Sequence, residues 1–196
     1  MIECMTTYGL IDLTRLTARD VEAPVIADSL SKINRFNGRT PQPWSVAVHS
    51  VIVSRLVNPR AAAWGLLHDA HEVFLGDLTT PAQDYLEAFG DIGNLRDAKG
   101  HLDIQITRHW QPDTLAPVMN EVKRIDRITC AAEMFVFFGG DVAIRPEDHD
   151  DLDRAITLIR DLDTGHDWRF ARQLWLNEAN DLASIGQLAL PNHTKT

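Results

Sequence analysis

The chain has 196 residues, 44% hydrophobic and 24% charged, with 28 acidic side chains against 19 basic ones and a net charge of −9. That balance fits one ordinary globular domain with an ample core, and it excludes disordered, collagen-like and solenoid readings. The acidity argues against a general binder of nucleic-acid polymers or anionic membranes, so an anionic substrate requires a bound cation or a few placed arginines to reverse the field locally.

No run approaches the roughly 20 apolar residues of a membrane span; the most apolar stretch, Val46 to Val57, is interrupted by His49, Ser50, Ser54 and Arg55. Cys4 and Cys130 fit no metal spacing and read as reduced thiols. The N-terminus lacks a basic region followed by an apolar core, so the expected compartment is the cytoplasm.

Apolar residues recur at three- and four-residue spacing, which predicts one all-α domain over residues 1–196. Residues 1–19 read as an extended arm or short strand. Asp20 is placed to cap a first helix carrying Val25, Ile26, Leu30, Ile33 and Phe36 on one face, ended by Asn37-Gly38. Ser45 caps a second helix running to Asn58, and Pro59 opens a third from Arg60 to about Phe74, with Gly76 beyond its end. A short helix starts near Pro81. Longer ones follow over Leu95–His109 and Leu115–Phe138, the latter stopped by Gly139-Gly140. Pro146–Leu162 and Asp167–Ile185 complete the set.

Phosphate loops, dinucleotide turns, nucleophile elbows and paired-cysteine motifs are absent, which leaves histidines and acids to carry any chemistry. His-Asp occurs three times, and context separates the copies. His149-Asp150 sits in an acidic run typical of a solvated helix face. In His166-Asp167 the Asp reads as a helix cap. His68-Asp69 instead follows the apolar stretch Ala61–Leu67, where an unpaired charge costs several kcal/mol. Glu72 lies one helical turn beyond, so His68, Asp69 and Glu72 are expected on one end of one helix face.

His49 lies within Val46–Val53, and Asp126 lies mid-helix in Val122-Lys-Arg-Ile-Asp. His49, His68, Asp69 and Asp126 would supply two imidazoles and two carboxylates from three helices, a set suited to Mn, Fe, Co, Ni or Zn. The bland readings are equally open at this point. His49 alone fits a hydrogen-bonded core residue, and Asp126 alone fits a surface partner of Arg124 or Arg127. His71 fits packing or support of the ligands, and Trp44 and Trp64 fit the core.

Four blocks then appear in order: Leu30-Ser-Lys-Ile-Asn-Arg-Phe-Asn-Gly-Arg-Thr40, Ser45-Val-Ala-Val-His-Ser-Val51, Leu66-Leu-His-Asp-Ala-His-Glu-Val-Phe-Leu-Gly-Asp-Leu-Thr-Thr-Pro81, and Val122-Lys-Arg-Ile-Asp126. Together they resemble the HD-domain metal-dependent phosphohydrolases, in particular the 5′-deoxynucleotidase group and the phage-type dATP triphosphohydrolases. The resemblance implies a helical bundle holding one divalent transition metal (Co, Mn, Zn, Ni or Fe) on His49, His68, Asp69 and Asp126. It implies Glu72 and Asp77 as catalytic acids, Arg35 as a phosphate contact, and Phe36 as the aromatic that disfavours a 2′-hydroxyl. The substrate class it implies is a deoxynucleotide, with no nucleic-acid polymer and no membrane involved, and its members form homo-oligomers. Gln83 stands where relatives carry a phosphate-facing Lys. The C-terminal third carries no matching motif.

Overall fold

The computed structural model describes residues 1–89, 95–140, 143–162 and 167–191. The N-terminal arm is a β-hairpin of β1 (Glu3–Thr6) and β2 (Gly9–Asp12), paired antiparallel with Cys4 opposite Ile11. Helices follow: α1 (Ala23–Leu30), α2 (Val46–Leu56), α3 (Ala62–Leu67), α4 (Glu72–Leu75) and α5 (Thr80–Phe89). Then come α6 (Leu95–Trp110), α7 (Ala116–Phe138), α8 (His149–Leu162) and α9 (Trp168–Ser184). The fold is therefore an all-α bundle with a small β-hairpin attached. Among the described residues, no helix is long and apolar enough to cross a membrane.

Helix α2 is the central strut. Every residue from Val46 to Leu56 except Arg55 is buried, as expected for a helix enclosed on all sides. It packs against α3, α7, α8 and α9. The α2–α3 crossing is close because of Gly65: a Cβ there would sit 3.0 Å from the Ser54 Cα, so any side chain would force the helices apart. Ser45 caps α2, its hydroxyl accepting from the Val48 N–H at 3.4 Å. Asp167 caps α9, accepting from Arg169 and Phe170 N–H at 3.0 and 3.2 Å. Gly139, at φ +65°, ends α7 in the left-handed conformation.

Two expected helices differ, in three respects, and each difference touches the site. First, Asp20 lies in a 3-10 turn (Ala18–Val21) before α1, and α1 ends at Leu30, short of Ile33 and Phe36. The chain beyond is held extended: Arg35 N–H donates to the Trp44 carbonyl at 2.8 Å, and Val46 N–H to the Ile33 carbonyl at 3.0 Å. Second, the chain then turns left-handed, with Phe36 at φ 55° and Asn37 at φ 53°. Third, the expected helix from Arg60 to Phe74 breaks at His68–His71, where N–H groups of Ala70, Glu72 and Val73 bond three residues back rather than four. The turn tightens where the ligand-type side chains are (His68, Asp69), so they leave the chain from a turn between α3 and α4 rather than from one straight helix face. The pair His149-Asp150 is exposed at the start of α8. His166 lies outside the described residues.

Candidate metal centre

His49 is wholly buried on α2, and both of its ring nitrogens are engaged. Nδ1 lies 2.8 Å from Glu133 Oε1, and Nε2 lies 3.0 Å from Asp126 Oδ1 and 3.9 Å from Asp69 Oδ2. Glu133 is itself wholly buried on α7. It accepts from Arg35 Nε at 2.9 Å and from Trp44 Nε1 at 2.8 Å. Burial resists the Glu133 charge, but Arg35 and His49 outweigh it and hold the carboxyl below its ordinary value. An ionised carboxylate only accepts, so Nδ1 donates its proton to Glu133 and Nε2 is the nitrogen left facing the acids, where it needs a proton or a cation of its own.

His68 is arranged the same way. Its Nδ1 donates to the Gly65 carbonyl at 2.8 Å. Its Nε2 has no hydrogen-bond partner, yet lies 3.2 Å from Asp69 Oδ2 and 3.7 Å from Asp126 Oδ1. The two imidazole Nε2 atoms thus converge on the same two carboxylates. Lone pair against carboxylate is repulsive unless a proton or a metal cation lies between them.

The electrostatics say the same. Burial opposes a charged His68, but Asp69 and Asp126 overcome it and raise the imidazole well above its usual value. For His49, burial and Arg35 oppose protonation while Glu133 and Asp126 favour it, with a net rise. Burial opposes ionisation of Asp69 and Asp126, but the two imidazoles hold both below the ordinary carboxyl value. Ligand atoms of His49, His68 and Asp69 all lie within 4.8 Å of one another, close enough to hold a metal ion. The orphaned His68 nitrogen and the mixed nitrogen–oxygen donor set fit such an ion.

The surface reading of Asp126 does not hold. Arg124 is committed to Asp148 and Asp151 at 2.7 and 2.8 Å and to Glu121 at 3.3 Å, and Arg127 lies 3.9 Å from Asp148. Asp126 is left facing His49. Trp44 and Trp64 are core residues, as expected, at 3% and 7% exposure.

Arg35 joins the cluster by the end of its guanidinium that Glu133 does not hold, with Nη1 3.8 Å from Asp69 Oδ2. Its neighbour Phe36 meets the Phe138 ring edge-on at 5.4 Å. A bulky residue at positive φ is unusual and costs about 1–2 kcal/mol at Phe36, whereas Asn37 adopts that conformation more readily. The surrounding hydrogen bonds hold that strain next to Arg35.

Glu72 is buried, and its Oε2 has no hydrogen-bond partner. Burial, then the charges of Asp69 and Asp77, push its carboxyl up to about 9. Asp77 is half-buried in the loop after α4; burial, then Asp69 against Arg35, raise it as well. His71 turns its Nδ1 to Asp103 Oδ1 at 3.0 Å. Gln83 is spent locally, its amide donating to the Leu78 carbonyl, with no hydrogen bond to the cluster.

Glu133 is the participant that motif spacing missed. The signal was present: it is a lone acid in the apolar run Ala131–Phe138, seven residues after Asp126 and so on the same helix face. A separate cavity of about 320 Å³ lies beyond Trp44, bordered by Lys32, Trp168 and Phe170, and includes no cluster ligand.

No protein-family model matches the chain. It is similar to an uncharacterized protein of Rhodobacter capsulatus, 34% identical over 136 residues, covering 63% of this chain and 66% of that protein. It is also similar to the uncharacterized protein YfdR of Escherichia coli, 32% identical over 120 residues, covering 61% of this chain and 62% of that protein. The matched region therefore spans a little under two thirds of each relative's length.

Proposed function

We propose that this chain is a metal-dependent phosphohydrolase of the HD-domain type, cleaving the 5′-phosphate ester of deoxynucleotides. The observation that carries the reading is the convergence of His49 Nε2 and His68 Nε2 on Asp69 and Asp126, with Arg35 Nη1 3.8 Å from Asp69. His49, His68, Asp69 and Asp126 would hold one divalent transition ion. When bound, that ion supplies Lewis-acid chemistry, drawing charge from a phosphoryl oxygen and making water more acidic.

The remaining groups have tasks set by their surroundings. Arg35 is fixed by Glu133 through Nε, which leaves its Nη groups to bind phosphate oxygens and offset charge that builds in the transition state. Water attacks phosphorus as the bond to the 5′ oxygen breaks, so one proton must leave the water and one must reach the departing oxygen. Glu72 and Asp77 are carboxyl groups of the cluster with raised values and the capacity to hold and pass those protons. The products are the deoxynucleoside and the released phosphate. Phe36, locked against Phe138, supplies the wall on which a 2′-hydroxyl would crowd.

A triphosphohydrolase uses the same residues and releases tripolyphosphate instead of orthophosphate. A non-catalytic nucleotide-binding module would release neither. The test is a screen of deoxy- and ribonucleoside mono- and triphosphates with Mn²⁺ or Co²⁺, reading both inorganic products. Deoxy-selective release abolished by Asp69→Ala supports the proposal; no release from any nucleotide with the metal demonstrably bound removes it.

A further inference from the structure

We propose that the cavity beyond Trp44 is a separate small-molecule site, one that takes an uncharged purine of the adenine type. Its volume of about 320 Å³ sits at the small end of the range for ligand pockets. An apolar cavity of about 150 Å³ admits one benzene ring, so this one has room for two fused rings and their substituents. It lies where the end of α1, the start of α2 and the start of α9 meet, and no residue of the metal cluster lines it.

Trp44, Trp168 and Phe170 give the cavity aromatic walls. Trp44 is held by its bond to Glu133 Oε1, and Lys32 Nζ lies 4.5 Å over the Trp168 ring. Rings fixed in this way suit a flat π-surface better than an aliphatic chain. The bordering charges then select against ions. Lys32 is paired with Asp28 at 2.8 Å. Asp167 accepts from the Arg169 and Phe170 N–H groups and pairs with Arg169 Nη1 at 2.8 Å. One cation and one anion thus border the cavity, each already engaged, so a ligand of either charge gains nothing there.

Asn34 carries the recognition. Its backbone is extended, at φ −86° and ψ 130°, and it bridges Ser45. Successive side chains on an extended segment point to opposite sides, which sends Arg35 to the cluster and Asn34 to the cavity. The Asn34 amide makes no hydrogen bond among the described residues. It offers a donor beside an acceptor, the complement of the adjacent acceptor and donor on the N7 and N6 edge of adenine. A purine with two acceptors on that edge is a poorer match. These contacts stand independently of the phosphohydrolase reading.

The experiment is a titration of the full chain with adenine, without nucleotide, read by calorimetry and by the indole N–H resonances of the tryptophans. The expected result is one adenine per chain, with the Trp44 and Trp168 resonances shifting over the same ligand range. Asn34→Leu and Trp168→Ala should each weaken binding about tenfold or more, the usual loss for a paired base edge or a stacked ring. Hypoxanthine, which presents two acceptors on that edge, should bind the unaltered protein about tenfold more weakly than adenine. Asp69→Ala should bind adenine normally, because the cluster takes no part. Wild-type affinity in both Asn34→Leu and Trp168→Ala overturns the proposal, as does adenine binding lost in a folded Asp69→Ala protein, which would place the purine at the cluster. The absence of heat and of indole shifts at millimolar adenine overturns it too, and leaves the metal centre untouched.

Discussion

Glu133 Oε1 lies 2.8 Å from His49 Nδ1, and this single contact determines which nitrogen of His49 faces Asp126. The same carboxylate holds Arg35 and Trp44. One buried acid thus orients the His49 imidazole and the Arg35 guanidinium, which the proposed function makes a metal ligand and the phosphate-binding cation. Removing it should disturb metal binding, substrate binding and folding together.

Glu133→Gln should therefore weaken metal affinity about 10- to 100-fold, the usual penalty for losing an orienting partner. Glu133→Ala strands the Arg35 charge and should destabilise the fold by about 3–5 kcal/mol. Competition with a metal-responsive dye and urea unfolding read the two effects. Wild-type metal affinity in a folded Glu133→Gln protein would contradict the role.

Deleting a ligand should be more severe than deleting its support. His68→Ala and Asp126→Ala should each lose the bound metal in elemental analysis and bring nucleotide hydrolysis to background. Glu72→Gln should keep an ion on His49 and His68 yet lose most turnover. If Glu72→Gln hydrolyses at the normal rate, that residue has no part in the reaction.

The turn at Phe36 and Asn37 separates two effects that usually travel together. Phe36→Gly relieves the cost of positive φ, so its thermal midpoint should hold or rise despite the lost ring contact with Phe138. The same change should collapse the preference for deoxy over ribo substrates. A kcat/KM ratio that stays unchanged would show that the ring does not read the sugar.

Acidity offers a fourth test, made on metal-free protein. Burial and the neighbouring acids raise Glu72 from 4.5 to about 9, so the folded state binds its proton more tightly than the unfolded chain. Stability from this group is complete below the unfolded value and is lost as pH rises toward the folded one. The thermal midpoint should thus decline between about pH 4.5 and 9, and Glu72→Gln should flatten the decline. Identical slopes in the two proteins would place the proton elsewhere.

What the sequence made legible is what neighbours along the chain decide. The Ser45 and Asp167 caps and the Gly139 stop are local chemistry, and each ends or begins a helix where expected. The residue types of the cluster were legible too, although His49 inside Val46–Val53 fitted a hydrogen-bonded core histidine as well as a ligand until the fold brought it to Asp126 and Glu133. The left-handed turn was not. No local preference places phenylalanine at φ 55°; bonds from Arg35 and Val46 to residues a loop away impose it. The break at His68–His71 was hidden for the same reason, since helical periodicity cannot register a turn tightened by one residue. Asp126 looked like a surface acid until tertiary packing sent Arg124 to α8 and Asp126 to His49.

The most direct measurement is X-ray absorption on the full chain loaded with one equivalent of Co²⁺. The expected inner shell contains two imidazole nitrogens and carboxylate oxygens, with the imidazole scattering halved in His49→Ala or the cobalt lost outright. A shell of water oxygens without imidazole, or a spectrum that His49→Ala and His68→Ala leave unchanged, would contradict it.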